Sequence, residues 1–172
     1  MTKILVVDDS ATQRGIYADV LKEKGYDVVE AKDGKEGLVK ARTESPDIVV
    51  TDISMPNMGG LEMIEILKKG EVTKYIPIIC ISATFEDMQT KIKALEKAGA
   101  EEYFYGSQSI EEFMLKVGVI LRIRKIYQEL LEKNAQLKQF NDVVIKRELR
   151  VIELKEKIDE LEAEIKKCRQ QK

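Results

Sequence analysis

Three aspartates in this 172-residue chain stand where carboxylate chemistry could be done. Asp8 and Asp9 follow the apolar run 4–7, Asp52 follows the apolar run 48–51, and Ser82 follows a third such run, 78–81. Neighbouring carboxylates repel one another unless a cation neutralises them. A hard divalent ion such as Mg²⁺ does so with oxygen ligands, keeps some of its waters, and commonly bridges a carboxylate pair to a phosphoryl group. With the charge neutralised, one carboxylate can attack phosphorus to give an acyl phosphate. The chain contains no histidine, which removes Ser-His-Asp and Cys-His catalysis, histidine-based zinc sites and any role as a phosphohistidine donor. Each acidic residue also has a plain structural use: Asp9 or Ser10 could cap a helix, and Asp52 could open a turn at Met55-Pro56-Asn57.

What brings such residues together is the order of elements. Short β-rich runs at 4–7, 28–29, 48–51, 78–81 and 103–105 alternate with helical stretches of ten to fifteen residues. Three of the runs are apolar on both pleat faces, as parallel strands covered by helices on both sides must be. Ser10 begins a helix carrying Ile16, Tyr17, Val20 and Leu21, stopped by Gly25, and Asp33 caps a second that ends before Ser45-Pro46. A third spans 60–69 and ends at Gly70, and a fourth spans 87–97 and ends at Gly99. Five strands alternating with helices in about 120 residues predict an α/β, doubly wound, flavodoxin-like parallel sheet of order 2-1-3-4-5. In that order the first and third strands are neighbours, and their carboxyl ends bring Asp8, Asp9 and Asp52 to one edge, with Ser82 and Gly106 beside them.

From Ile110 the pattern becomes one helix with no stop signal. Ile110, Phe113, Met114, Val117, Ile120 and Leu121 form a stripe wide enough to pack on the sheet. From Ile123, steps of three and four reach Ile126, Leu130, Lys133, Leu137, Phe140, Val144, Arg147, Val151, Leu154, Ile158, Leu161, Ile165 and Cys168. Twelve of these fourteen positions are apolar in one unbroken heptad phase, which predicts a coiled coil. With Ile123 as a, every a position is Ile, Leu or Val, and branched a with leucine d favours two parallel strands. In a parallel pair Lys157 faces Glu162 and Glu164 faces Arg169, but Arg150 faces Lys155. Lys133 and Arg147 interrupt d, and Ile145, Leu149 and Ile152 add a stripe outside the seam. A helix of this length, roughly 70 Å at ~1.5 Å per residue, outruns a small domain and needs a partner helix.

The two parts differ in charge. Residues 1–122 carry 16 Lys/Arg against 21 Asp/Glu, whereas 123–172 carry 13 against 10 with the signs mixed residue by residue. That mixture suits a long exposed helix and not a nucleic-acid arm. The chain divides accordingly into a domain at 1–122 and a coiled-coil helix at 123–172. Cys80 and Cys168 are far apart and lack CxxC spacing, so neither a disulfide framework nor a zinc site is expected. No apolar run of about eighteen residues is present, and the short amino-terminal run turns acidic too soon for a signal peptide, so a cytoplasmic protein without a membrane span is expected.

Four motifs occur in order and register: ILVVDDS (4–10), TDISMPNMGG (51–60), ISA (81–83) and GAEEYF (99–104). On these the chain resembles, over residues 1–122, the receiver domain of bacterial and archaeal two-component response regulators, the CheY-like proteins. The resemblance implies that Asp52 is the phosphoacceptor. It implies that Asp8 and Asp9 bind Mg²⁺ together with Asp52 and the Ser54 backbone carbonyl. Ser82, with small Ala83 beside it, matches the hydroxyl that turns toward the phosphoryl group, and Tyr103 matches the aromatic that changes rotamer with it. Ser54 and Thr84 match positions that tune hydrolysis. The implied partners are a sensor histidine kinase or phosphotransfer protein and a downstream protein, and the implied role is signalling, not enzymatic turnover of a substrate. One departure stands out. The family's lysine, three residues after Tyr103 and usually followed by proline, is here Gly106, followed by Ser107, and no lysine comes until Lys116. A salt-bridged contact of this kind is worth ~1.5–3 kcal/mol, about tenfold or more in a two-state population.

Two functions follow from different classes. The first is a phosphorylation-responsive receiver signalling through the Tyr103 face and a dimeric helix, supported by the intact acid triad. The phosphoryl group must come from another protein or a small donor, since no GxxxxGK[ST] loop is present for ATP. The second is a pseudo-receiver that binds partners without phosphorylation and is held in pairs by the coiled coil, supported by Gly106. A phosphohydrolase with an aspartate nucleophile on the first strand would need DxD spacing, and Asp8 and Asp9 are adjacent.

Overall fold

The computed structural model describes residues 1–82, 88–106 and 109–170. Ala83, Thr84, Asp87 and Ser107 lie outside these residues, as do the side chains of Ile165 and Cys168. Five strands, β1 (Lys3–Val7), β2 (Asp27–Ala31), β3 (Ile48–Asp52), β4 (Ile78–Ser82) and β5 (Glu102–Tyr105), form one sheet of order β2-β1-β3-β4-β5. Every pairing is parallel. The helices are α1 (Ala11–Glu23), α2 (Gly34–Glu44), α3 (Gly60–Lys69), α4 (Met88–Ile92) and α5 (Ile110–Gln170). The architecture is the flavodoxin-like order expected from the sequence.

Strand residues alternate between two cores, because successive side chains leave opposite faces of a pleated sheet. Leu5, Val7, Val49, Ile78, Cys80 and Tyr103 point to one face, where Leu38 of α2 and Met63, Ile64 and Leu67 of α3 cover them. Ile4, Val6, Ile48, Val50, Ile79, Ile81 and Phe104 point to the other, under Tyr17 and Leu21 of α1 and Phe113, Val117 and Ile120 of α5. The three central strands are thus buried along nearly all of their length, and edge strand β2 is only partly buried along most of its length.

Local signals set the helix ends. Ser10, in extended conformation, caps α1 with its Oγ accepting from the Gln13 N–H, and Asp33 caps α2 through Glu36 N–H at 2.9 Å. Gly25 and Gly99 take the left-handed conformation after α1 and after the segment that follows α4. Two features differ from the sequence reading. A 3₁₀ turn forms at Thr73–Tyr75, and α4 loosens into π-helical turns at Lys93–Ala98 in place of an α-helix ending at Lys97. By contacts the chain comprises two compact units, Met1–Lys125 and Ile126–Lys172. In the second, Ile126, Leu130, Leu137, Phe140, Val144, Val151, Leu154, Ile158 and Leu161 are all exposed.

Candidate functional site

The strand register aligns the acidic residues. Val7 of β1 pairs with Thr51 of β3, so the next residues, Asp8 and Asp52, leave neighbouring strands at the same edge. Asp52 pairs with Ile81, which puts Ser82 one step further along β4, and Ser82 pairs with Tyr105. Beyond β5, the Gly106 N–H donates to the Ser82 carbonyl at 2.7 Å. Asp8, Asp52, Ser82 and Gly106 thus share the carboxyl edge of the sheet, where ligands of open α/β folds collect. Asp9 follows Asp8 and is exposed.

Asp8 is buried, and its Oδ1 accepts the Ser10 N–H at 2.8 Å. Burial raises its pKa, the Ser10 N–H works against that, and the Asp9 charge adds to it. Asp52 is half-buried, and its pKa is pushed up to about 6, first by burial and then by the Asp8 charge. Hydrogen bonds from the Ile53 and Ser54 backbone pull the other way, and Asp9 adds to the rise. The three carboxyl groups therefore feel one another, and the Arg14 charge, which lowers Asp8, does not offset the rise. Among the described residues no three Asp, Glu, Cys or His side chains close into a metal cage.

The loop after β3 is fixed by its backbone. Asn57 adopts φ 66°, which asparagine tolerates better than most residues, and the Gly60 N–H donates to the Ile53 carbonyl at 2.9 Å. A Cβ on Gly60 would collide with the Asp52 carbonyl, so only glycine allows α3 to start so close to the acidic residue. Of the plain structural uses considered for these residues, Ser10 takes the helix cap and Asn57 makes the turn.

Ser82 is buried at the end of β4. Tyr103 is 2% exposed, with its ring 5.0 Å from that of Tyr105, so it points into the core and not onto the surface. Lys116 is committed elsewhere, to Glu102 at 3.2 Å. Two cations were not singled out by the sequence reading. The Arg14 guanidinium donates to the Asp8 carbonyl at 2.7 Å and pairs with Glu30 at 3.4 Å. Lys91 lies over the Tyr105 ring, 5.8 Å from its centroid. Arg14 carries a weak sequence signal, its place in the first turn after the acidic pair, whereas Lys91 depends wholly on how α4 packs.

Residues 4–117 match the response regulator receiver domain family. The chain is 32% identical over 121 residues to Protein PilH of Pseudomonas aeruginosa, covering 70% of this chain and 98% of that protein. It is 37% identical over 124 residues to the alkaline phosphatase synthesis transcriptional regulatory protein PhoP of Bacillus subtilis, covering 72% of this chain and 50% of that one. It is 38% identical over 130 residues to hybrid signal transduction histidine kinase D of Dictyostelium discoideum, covering 76% of this chain but only 8% of that one. The chain thus spans half or less of two of these relatives and nearly all of the third. Among solved structures, a response regulator receiver domain protein from Clostridium thermocellum superposes with a TM-score of 0.66 at 27% identity, covering 74% of this chain and 99% of that one. A CheY-like receiver domain protein from Methanospirillum hungatei gives 0.68 at 24% identity, covering 74% and 98%, a likeness of fold.

Proposed function

The chain belongs to the response regulator receiver domain family, and on that premise we propose that it accepts a phosphoryl group on Asp52 and passes the signal on through its Tyr103 face and its long helix. The observation that carries this reading is the Asp52 carboxyl at the end of β3, half-buried and beside the charge of Asp8, which directly follows the adjacent strand β1. A nucleophilic carboxylate must be accessible yet held, and this one is held by the Ile53 and Ser54 backbone. One Asp52 oxygen attacks phosphorus, an acyl phosphate bond forms, and the donor's P–N or P–O bond breaks with its electron pair leaving on the donor. The Ser82 hydroxyl, on the next strand, turns toward the phosphoryl oxygens. Tyr103, 2% exposed, already packs inward on the neighbouring strand.

The repelling carboxyls of Asp8, Asp9 and Asp52, completed by the Ser54 carbonyl, suit an oxygen-preferring divalent ion such as Mg²⁺ that retains water ligands. When bound, that ion neutralises charge that would otherwise oppose the approach of a phosphodonor. The donor is a sensor histidine kinase, a phosphotransfer protein or a small acyl phosphate, and the receiver acts in the cytoplasm. The functional division is a receiver at 1–122 followed by a helix at 123–172 that pairs with a second copy.

Intact-mass spectrometry after incubation with acetyl phosphate and Mg²⁺ tests this. An adduct of about 80 Da is expected on the wild type and not on Asp52→Asn. A second reading, a dimeric binding scaffold that works without phosphorylation, draws on Gly106 and on the commitment of Lys116 to Glu102. It is supported if no adduct forms with any of several phosphodonors.

A further inference from the structure

We propose that the second copy docks on the Ile126–Lys172 unit antiparallel, centred on Asp142, so that Phe140 of one helix meets Val144 of the other. This rests on the reading that the helix pairs with itself, and it fixes the orientation and register of that pair. The face is open in the single chain: Ile126, Leu130, Leu137, Phe140, Leu154 and Ile158 are each 47–65% exposed. An apolar face of this length needs a partner, and charge decides which way that partner runs.

In a parallel pair each d residue faces its own copy. Lys133 would then meet Lys133 and Arg147 would meet Arg147 inside the seam, two like-charge layers with no acid between them. Arg150 would also face Lys155 across the flank. The branched a positions and leucine d positions favour parallel strands, but that preference does not remove these contacts.

In the antiparallel pair, a residues meet d residues. Ile126 faces Ile158 of the second copy, Leu130 faces Leu154, Lys133 faces Val151, and Leu137 faces Arg147. No two like charges share a layer, and each long basic stem lies against an apolar neighbour while its charged end reaches water. The flanking g positions now face one another. Glu129 meets Lys157 of the second copy, Gln136 meets Arg150, and Val143, 64% exposed in the single chain, meets Val143 at the centre. Arg150 keeps its own partner, Glu153, at 3.0 Å within the helix. Sliding the pair by one heptad one way sets Glu129 against Glu164, and sliding it the other way sets Glu129 against Arg150 but shortens the seam, so charge and seam length together fix the register.

The test uses the full chain with Cys168→Ser and a spin label at Gln128→Cys, exposed on the face away from the seam so that Glu129 and Lys157 stay intact, under conditions where sedimentation reports the mass. In the antiparallel dimer the two labels are separated by 28 residues of helix, about 42 Å. In a parallel dimer they sit at the same height, roughly 15–25 Å apart. A dimer with the long distance is the expected result. A dimer with the short distance overturns the antiparallel docking and leaves self-pairing standing. A monomer at all concentrations overturns both. Charge reversal gives a second readout: Glu129→Lys weakens dimerisation about tenfold, and adding Lys157→Glu restores it. In a parallel pair the added Lys157→Glu brings no recovery, because the two positions never meet.

Discussion

The Asp52 carboxyl is asked to stay ionised at neutral pH in a place that disfavours its charge. Its pKa of about 6, against an ordinary 3.8, means that the folded protein holds the proton more tightly than the unfolded chain. The contribution of this carboxyl to stability is therefore fullest below about pH 4, is lost as pH rises from 4 through 6, and is level above that. Allowing for solvent screening at a half-exposed site, the loss is ~1–2 kcal/mol. Asp52→Asn, which carries no charge, is expected to raise the urea unfolding free energy by that amount at pH 7.5 in metal-free buffer and to change it little at pH 4. Equal effects at both pH values would show that the carboxyl is not held at a cost. Burial acts the same way on Cys80, a thiol pushed up to about 12, so far that it stays neutral. It should resist alkylation at pH 8 in the folded chain and react fully in urea, as thiol labelling with mass detection will show. The acidic residues were legible in the sequence because each directly follows an apolar strand, which fixes where it must emerge. The inward packing of Tyr103 and the seats of Arg14 and Lys91 were not, because these depend on contacts between elements distant in the chain.

At the scale of elements, α3 begins against the strand that carries Asp52. Gly60→Ala would force a methyl into the Asp52 carbonyl, so the helix start or the strand end must move. A loss of about 1–3 kcal/mol in urea unfolding is expected, together with slower formation of the Asp52 adduct because the carboxyl is displaced. Gly15→Ala, in α1 with open space around it, is the control and should leave both unchanged or slightly improved. Strand positions and order were legible because runs such as ILVV and IVV carry no polar residue on either face, a pattern that fits strands covered on both sides. Element ends were less so: Asp52 and Ser82 count as the last residues of β3 and β4, not as loop residues. The π-helical turns after α4 and the 3₁₀ turn at Thr73–Tyr75 leave no periodic signal, since a few residues of altered winding are set by packing. In the 3₁₀ turn, the Thr73 hydroxyl donates to the Leu67 carbonyl at 2.6 Å.

For the molecule as a whole, the two units draw their stability from different sources. Both apolar cores lie within the first unit, one of them closed by Phe113, Val117 and Ile120 of α5, and Arg124 pairs with Asp47 at 3.5 Å where that unit ends. A chain cut after Lys125 is therefore expected to fold, to form the Asp52 adduct, and to sediment as a monomer. Among its described residues the second unit shows helical hydrogen bonds, the Arg150–Glu153 pair and an exposed apolar stripe. A helix without tertiary contacts holds its form mainly when its apolar face is covered, so its helicity should follow association by mass action. On dilution below the dimer dissociation constant, the 222 nm ellipticity of the full chain should fall by roughly two fifths, and that of the truncated chain should stay constant. Leu137→Lys, which adds a charge to the seam, should shift the fall to higher concentration without moving the melting temperature of the first unit. A signal that stays flat on dilution in the full chain would mean that the helix stands by itself, and the stripe would then have no part in holding it.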